Sequence, residues 1–231
     1  MEISNLIIEV TRQCNLNCSH CLRGEPRQQN LDLEKLATFL RVNRVKRIHE
    51  IAFTGGEPLL VPKILKNLLK LIKEDLKIEI GSSFIATNGT VATDESIGFL
   101  LQLSAYCAGE TWVAVSNGAE HEEALYELDL EEKFLENKKI LSCLKFIDYN
   151  MKHRVYNRNN LLNEGRCDYG RREVTPADFD IKEDFVDCDE LYFNVEGDLF
   201  TACNLSYDSQ DAKKFYVGNY AEFPKKGNGH E

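Results

Sequence analysis

The sequence predicts an α/β fold: a partial (βα) barrel of about five or six parallel strands, followed by a short C-terminal β-hairpin that carries cysteines. Three observations predict it. Short β-branched apolar runs alternate with amphipathic helical runs through the first two-thirds of the chain, the pattern of parallel strands joined by right-handed helical crossovers. Several of these runs are apolar throughout, as in Ile51–Phe53 (IAF) and Val113–Ser116 (VAVS), which suits strands buried on both faces. Beyond about residue 150 the alternation gives way to polar, turn-rich sequence, and then to two short apolar runs around Glu196-Gly197-Asp198, a hairpin signal.

The elements follow in order. Leu6–Val10 reads as the first strand, and Leu31–Val42 has apolar residues at helical spacing. Ile48–Phe53 is a strand ended by the turn Thr54-Gly55-Gly56-Glu57-Pro58. Ile64–Ile72 is helical, and Ile78–Ala86 is a strand that stops at Asn88-Gly89. Asp94 is read as the N-cap of a helix running to about Tyr106. Thr111–Ser116 is a fourth strand, Glu120–Asn137 is helical with a break near Asp129, and Lys145–Tyr149 is a fifth strand. Between Ser116 and Gly165 there is room for about one and a half βα units. The hairpin runs are Leu191–Val195 and Leu199–Ala202, with Cys188 before them and Cys203 after. The expected organisation is a core over 1–165, an extension over 166–224 and a frayed polar tail over 225–231. An open barrel and a doubly wound sheet both fit the pattern. In either, chemistry sits at the carboxyl ends of the strands.

Composition narrows the function. The 231 residues are 43% hydrophobic, enough for a core, and carry a formal net charge of −10. Such an acidic surface argues against gripping nucleic acid by phosphate neutralisation. No apolar run reaches membrane-span length, and the N-terminus lacks the features of a signal peptide, so a cytoplasmic protein is expected. Eight cysteines are many for a reducing compartment. Three of them, Cys14, Cys18 and Cys21, fall within eight residues, a spacing that suits metal ligands better than disulfides.

Thiolates are soft ligands that select iron–sulfur clusters and zinc. Three on one loop, without an obvious fourth local ligand, leave one iron of a four-iron cubane open, and an open metal position is where chemistry happens. A structural zinc loop that uses His20 as fourth ligand is the alternative. The Gly55-Gly56-Glu57-Pro58 turn follows the second strand. Its glycines allow close backbone approach to a ligand, and its carboxylate can accept hydrogen bonds from an ammonium group.

The Cys-x3-Cys-x2-Cys loop after the first strand resembles that of the radical S-adenosylmethionine superfamily. The resemblance implies a [4Fe–4S] cluster on Cys14, Cys18 and Cys21, with S-adenosylmethionine chelated at the open iron. It also implies one-electron cleavage of that cofactor to a 5′-deoxyadenosyl radical, which takes a hydrogen atom from the substrate. Gly55, Gly56 and Glu57 match the superfamily motif that contacts the methionine amino group. Ala86-Thr87-Asn88-Gly89 resembles the superfamily's third strand end and makes Asn88 a cofactor-contact candidate. Ser116-Asn117-Gly118 resembles a Ser-x-Asp-Gly strand end but is one residue short, with Asn117 in place of Asp. The analogy makes Ser116 a ribose contact, against a plain helix cap or turn serine.

Cys188, Gly197 and Cys203 resemble the hairpin of SPASM and twitch extensions, and Gly165-Arg166 resembles the Gly-Arg that often ends the barrel in such enzymes. This implies an auxiliary iron–sulfur cluster on Cys167, Cys188 and Cys203, with Cys107, Cys143 or a non-protein group as fourth ligand. Five residues separate Gly197 from Cys203 where four is usual, and no cysteine follows Cys203. Buried free cysteines are the plain alternative.

The expected function is modification of a peptide or protein side chain, with a reductant such as flavodoxin or ferredoxin as partner. The core begins almost at residue 1, so no N-terminal peptide-recognition domain is expected. A small-molecule substrate (a pterin, deazapurine or sugar) is the alternative within the class, and a glycyl-radical activase is a third. A non-catalytic iron–sulfur or zinc protein is the alternative outside it. His49, His121, His153 and His230 need no metal, and the charged helical run Glu120–Glu136 reads as a solvated face. Arg158, Arg166, Arg171 and Arg172 form a small basic group that could meet an anionic substrate.

Overall fold

The computed structural model describes residues 1–116, 118–148, 163–167, 172–182 and 184–223. The parallel strands are β1 (Glu2–Thr11), β2 (Arg47–Gly55), β3 (Glu79–Thr87), β4 (Thr111–Val115) and β5 (Ile147–Asp148). The helices between them are α1 (Leu33–Val42), α2 (Pro62–Lys70), α3 (Asp94–Tyr106), α4 (Ala119–Glu127) and α5 (Glu131–Leu141). The C-terminal part adds β6 (Phe179–Lys182), β7 (Phe185–Cys188), β8 (Leu191–Phe193), β9 (Asp198–Phe200), α6 (Tyr207–Asp211) and β10 (Tyr216–Asn219). One mixed sheet results, in the order β10-β9-β8-β1-β2-β3-β4-β5, and it does not close into a barrel. β8 pairs with β1 in parallel through Leu6–Leu191, Ile7–Tyr192 and Ile8–Phe193, and β7 pairs with the start of β1.

The two faces of the sheet bury different residues. Leu6, Ile8 and Val10 of β1 join Phe53, Ile85 and Val113 in a core with Leu36 and Phe39 of α1, Leu65 and Leu68 of α2 and Phe99 of α3. Phe53 meets Phe99 edge-on, with centroids 5.9 Å apart, a favourable aromatic geometry. The opposite, inner face presents Ile7, Ala52 and Phe84, which the C-terminal residues Val174, Tyr192, Phe200, Ala202 and Leu205 cover. The same inner row continues to Trp112, which pairs with Phe84. Trp112 is the sole tryptophan of the chain and stays 44% exposed. The C-terminal segment therefore shields the β1 side of the inner face more fully than the β4 side.

Local signals account for most boundaries. Asp32 caps α1 by accepting from the Glu34 amide at 3.0 Å. The cap of α3 is Thr93, whose Oγ1 accepts from the Ser96 amide, in place of the expected Asp94. Thr93 is extended while Asp94 is already helical, where its negative charge favours the helix N-terminus. The expected break near Asp129 is real: α4 ends at Glu127, α5 begins at Glu131, and Asp129 has φ +54°. The fifth strand is shorter than the expected Lys145–Tyr149, and Tyr149 lies outside the described residues. The segment read as aperiodic holds the β6–β7 hairpin, whose alternation spans only four residues per strand among many charges. The β8–β9 turn falls on Glu196-Gly197-Asp198 as expected. Asn194 accepts there from the amides of Glu196 (3.0 Å) and Asp198 (2.9 Å), and Gly197 has φ +86°.

A buried polar network fastens the C-terminal segment to β1. Glu9 and Arg12 are both fully buried and paired at 3.0 Å. Glu9 also accepts from Tyr192 Oη (2.8 Å) and the Val195 amide (3.2 Å). Arg12 donates to Gln29 (3.0 Å) and Gln210 (2.8 Å) and lies over the Tyr207 ring. Buried charges persist only when paired and hydrogen-bonded. Arg12→Met is expected to leave Glu9 uncompensated and to destabilise the fold by about 3–5 kcal/mol. Chemical denaturation checks this, with an unchanged midpoint as the contrary result.

Candidate functional site

The three clustered cysteines lie on the loop that leaves β1. The loop is anchored by the buried Leu16 and by turn bonds from the Cys21 amide to Cys18 O (3.1 Å) and from the Gly24 amide to Cys21 O (3.3 Å). Cys14, Cys18 and Cys21 are each partly exposed. Burial pushes the Cys14 thiol up to about 11, against a lowering bond from the Leu16 amide and with raising contributions from Glu57 and Cys21. Burial and the neighbouring Cys21 and Cys14 push Cys18 up to about 12. Thiols of this kind keep their protons until a soft metal displaces them.

The Gly55-Gly56-Glu57 turn is strapped onto this loop. The Gly56 amide donates to Thr11 O (2.8 Å) and the Glu57 amide to Gln13 O (2.7 Å). A Cβ on Gly55, which has φ +146°, would lie 2.1 Å from Thr11 O, and one on Gly56 would lie 2.1 Å from Gln13 O. Only glycine fits this approach. The Glu57 carboxylate is fully buried. It accepts from the Leu59 amide (3.0 Å), Thr87 Oγ1 (2.8 Å) and the Asn88 amide (2.6 Å). Through these bonds the carboxylate holds the end of β3 against the end of β2.

The Thr87-Asn88-Gly89 turn faces the cysteine loop. Asn88 Nδ2 donates to Asn15 Oδ1 at 3.0 Å and lies 3.9 Å from Cys14 Sγ. Thr90 Oγ1 donates to Asn88 Oδ1 (2.6 Å), and Asn15 Nδ2 donates to Thr90 Oγ1 (2.8 Å). Behind the turn, His121 Nε2 of α4 is 3.0 Å from Asn88 O, and Asn137 Nδ2 of α5 donates to Gly89 O at 3.3 Å. Ser116 ends β4 at the same edge, its amide donating to Thr87 O (2.8 Å). The structure thus gathers Cys14, Gly55, Gly56, Glu57, Asn88 and Ser116 at one edge of the sheet. Sequence reading missed Asn15, Thr90, His121 and Asn137. The signal for His121 was its place on the buried face of α4 with Ala124 and Leu125.

Gly165 and Arg166 dock on the cysteine loop from the C-terminal side. The Arg166 amide donates to Cys21 O at 2.9 Å, and a Cβ on Gly165 would lie 2.3 Å from Leu22 O. The Arg166 charge acts on Cys18 and His20. Arg166 pairs with Glu25 at 3.5 Å. Arg172 is exposed, and Arg158 and Arg171 lie outside the described residues.

The remaining cysteines lie on several segments of the chain. Cys167 sits on the Glu164–Cys167 turn, beside the Cys21 loop. The Cys188 amide donates to Ser4 Oγ (2.7 Å) near the start of β1, and the Cys203 amide donates to Glu190 (2.8 Å). Among the described residues no three His, Cys, Asp or Glu side chains are drawn into a metal-holding arrangement, the Cys14 loop included. Cys14, Cys18 and Cys21 nevertheless share one short loop that can close on a cluster, whereas Cys167, Cys188 and Cys203 belong to separate segments. Cys188 and Cys203 both meet Glu190, and the Cys167 turn reaches Ser206 through Glu164. Cys107 is tied to the hydroxyls of Ser83 and Thr111 at the far end of β4, and Cys143 is exposed just after α5. A cavity of about 250 Å³ lined by Arg47, Lys73, Glu79 and Tyr106 lies at that amino-terminal edge of the sheet, away from these strand ends. The donor set at the carboxyl edge, three thiols and two glycine cradles, fits a cluster and a ligand bound close to backbone.

Comparison with known proteins agrees. Residues 8–113 match the family model described as the radical SAM superfamily. A GTP 3′,8-cyclase of Campylobacter jejuni subsp. doylei is 36% identical over 98 residues, which is 40% of this chain and 30% of that protein. A probable GTP 3′,8-cyclase of Methanococcus aeolicus is 35% identical over 85 residues, or 33% of this chain and 27% of that protein. The chain thus spans about a third of the length of the curated relatives it matches. The solved structure of native anSMEcpe with bound AdoMet and Cp18Cys peptide shares the fold, with TM-score 0.54 and 16% identity over 98% of this chain and 79% of that one.

Two glycine substitutions separate site from scaffold. Gly98 in α3 has no neighbour within 4 Å of a built Cβ, so Gly98→Ala is expected to stabilise by about 0.5–1 kcal/mol. Gly56→Ala pushes Gln13 and the cysteine loop aside; it is expected to destabilise by about 1–3 kcal/mol and to lower iron uptake. Thermal denaturation with iron analysis checks both. Equal behaviour of the two variants would contradict the strap.

Proposed function

This chain belongs to the radical SAM superfamily of enzymes, and on that premise we propose that Cys14, Cys18 and Cys21 hold the cluster and the ends of β2, β3 and β4 hold S-adenosylmethionine. Bound there, a [4Fe–4S] cluster would supply the electron that cleaves S-adenosylmethionine reductively, and with it the means of hydrogen abstraction from a substrate. One observation carries the reading: the cysteine loop and the Gly55-Gly56-Glu57 turn are bonded into a single edge by Gly56 to Thr11 and Glu57 to Gln13. Gly55 and Gly56 let backbone approach the ligand, Asn88 and Ser116 line the adjoining strand ends, and Glu57 fixes their spacing. Flavodoxin or ferredoxin is the proposed reductant.

The proposed substrate is a peptide or protein side chain, as the β8–β9 hairpin and the Ser116 strand end suggest by their resemblance to peptide-modifying members. A small molecule is the second reading, favoured by the GTP 3′,8-cyclase names of the sequence relatives. Trp112 distinguishes them. It is exposed on the inner face beside Phe84, so a bound substrate changes its emission. Titration with peptides and, separately, with GTP shows which class binds. No change with either would place substrate away from this face.

Anaerobic reconstitution with a reductant is expected to convert S-adenosylmethionine to 5′-deoxyadenosine, and the triple Ala variant of Cys14, Cys18 and Cys21 to abolish that turnover. Zinc alone in the purified protein, or no 5′-deoxyadenosine under any reducing condition, would overturn the reading. Iron in the triple variant tests the proposed auxiliary cluster on Cys167, Cys188 and Cys203: about four irons retained supports it, and none overturns it.

A further inference from the structure

The helices α4 and α5 are charged and largely exposed, yet each buries one polar side chain at the same place. His121 is 2% exposed and Asn137 is 7% exposed. Burying a polar group costs free energy unless it is hydrogen-bonded, and packing alone is served better by leucine. Both side chains spend their bonds on consecutive carbonyls of one turn, Asn88 O and Gly89 O. A carbonyl only accepts, so His121 Nε2 carries the proton in this contact. Burial lowers the His121 pKa, which keeps the ring neutral, and the Asn88 contact opposes that shift.

The turn is held from the other side as well. Glu57 takes the Asn88 amide at 2.6 Å, and Thr87 Oγ1 takes the Gly89 amide at 3.1 Å. Phe134 of α5 stacks edge-on against His121, with centroids 5.5 Å apart. A Cβ on Gly89 would lie 2.7 Å from the Phe134 ring. Asn88 therefore has its amide and its carbonyl both fixed by side chains from other elements. Its side-chain Oδ1 is held by Thr90, which leaves Nδ2 directed at Asn15 and Cys14 of the cysteine loop.

We propose that His121 and Asn137 are positioning residues for the cofactor site: they set the Thr87-Asn88-Gly89 turn so that Asn88 meets the cysteine loop and the bound S-adenosylmethionine. This rests on the function proposed above. It assigns α4 and α5 a role that a solvated helix pair would not have.

The test uses the reconstituted enzyme, with S-adenosylmethionine as the probe. Its Kd and the EPR signal of the reduced cluster, with and without the probe, are measured for wild type, His121→Leu, His121→Gln and Asn137→Leu. His121→Leu is expected to keep its iron but to weaken the Kd by roughly tenfold and to diminish the probe-induced change in the EPR signal. His121→Gln offers an N–H to Asn88 O and is expected to recover most of the affinity. Asn137→Leu is expected to shift the Kd in the same direction. A wild-type Kd and signal in both His121→Leu and Asn137→Leu overturns the proposal, and so does equal impairment of His121→Leu and His121→Gln. If His121→Leu loses its cooperative thermal transition, the Asn137→Leu Kd decides alone. A wild-type enzyme that binds no S-adenosylmethionine overturns the proposed function itself, an outcome distinct from all of these.

Discussion

The buried carboxylate of Glu57 ties the carboxyl ends of neighbouring strands into one edge, and the candidate site depends on it. Its own amide reaches the backbone that leaves β1, and its oxygens hold the end of β3. Burial raises its pKa to about 7, against the lowering effect of the Asn88, Leu59 and Thr87 donors. The folded chain thus holds this proton more tightly than the unfolded one. Keeping the group costs stability progressively as pH rises from the ordinary carboxylate range toward 7. A fold that carries such a cost gains placement from it, since three donors fix the carboxylate at a position no solvated side chain would keep.

A second polar core lies one strand further on. Glu9 and Arg12 face the inner side of β1, immediately before the cysteine loop, and bind the hairpin and α6. Gly165 and Arg166 press on the same loop from its other side. The cysteine loop is therefore clamped between the parallel strands and the C-terminal segment. Its thiols stay close together while burial keeps Cys14 and Cys18 protonated. On the β4 side the inner face stays more open, and Trp112 marks that opening.

Much of this was legible in the sequence, because periodicity and strand-end glycines are local signals. β1 to β4 and α1 to α3 followed from apolar spacing, and Gly55-Gly56 marked a close backbone approach that the geometry shows against Thr11 and Gln13. What was not legible depended on tertiary contact. Glu57 reads in sequence as a ligand-facing carboxylate, and only the register of β2 on β3 shows that Thr87 and Asn88 also bond to it. His121 reads as one histidine on a charged helix until α4 packs behind the Asn88 turn. Cys167, Cys188 and Cys203 look like a set by number and residue type, and only the fold shows that Cys188 and Cys203 both meet Glu190 while the Cys167 turn reaches Ser206 through Glu164.

The most direct test is cofactor binding in Glu57→Gln, which leaves all three cysteines intact. One oxygen of Glu57 accepts from the Leu59 amide and Thr87, and the other accepts from the Asn88 amide. Whichever way a glutamine is turned, its NH₂ opposes a backbone N–H. The account predicts that the reconstituted variant loses iron or binds S-adenosylmethionine at least roughly tenfold more weakly. Wild-type iron content together with a wild-type Kd would contradict the claim that this carboxylate organises the site.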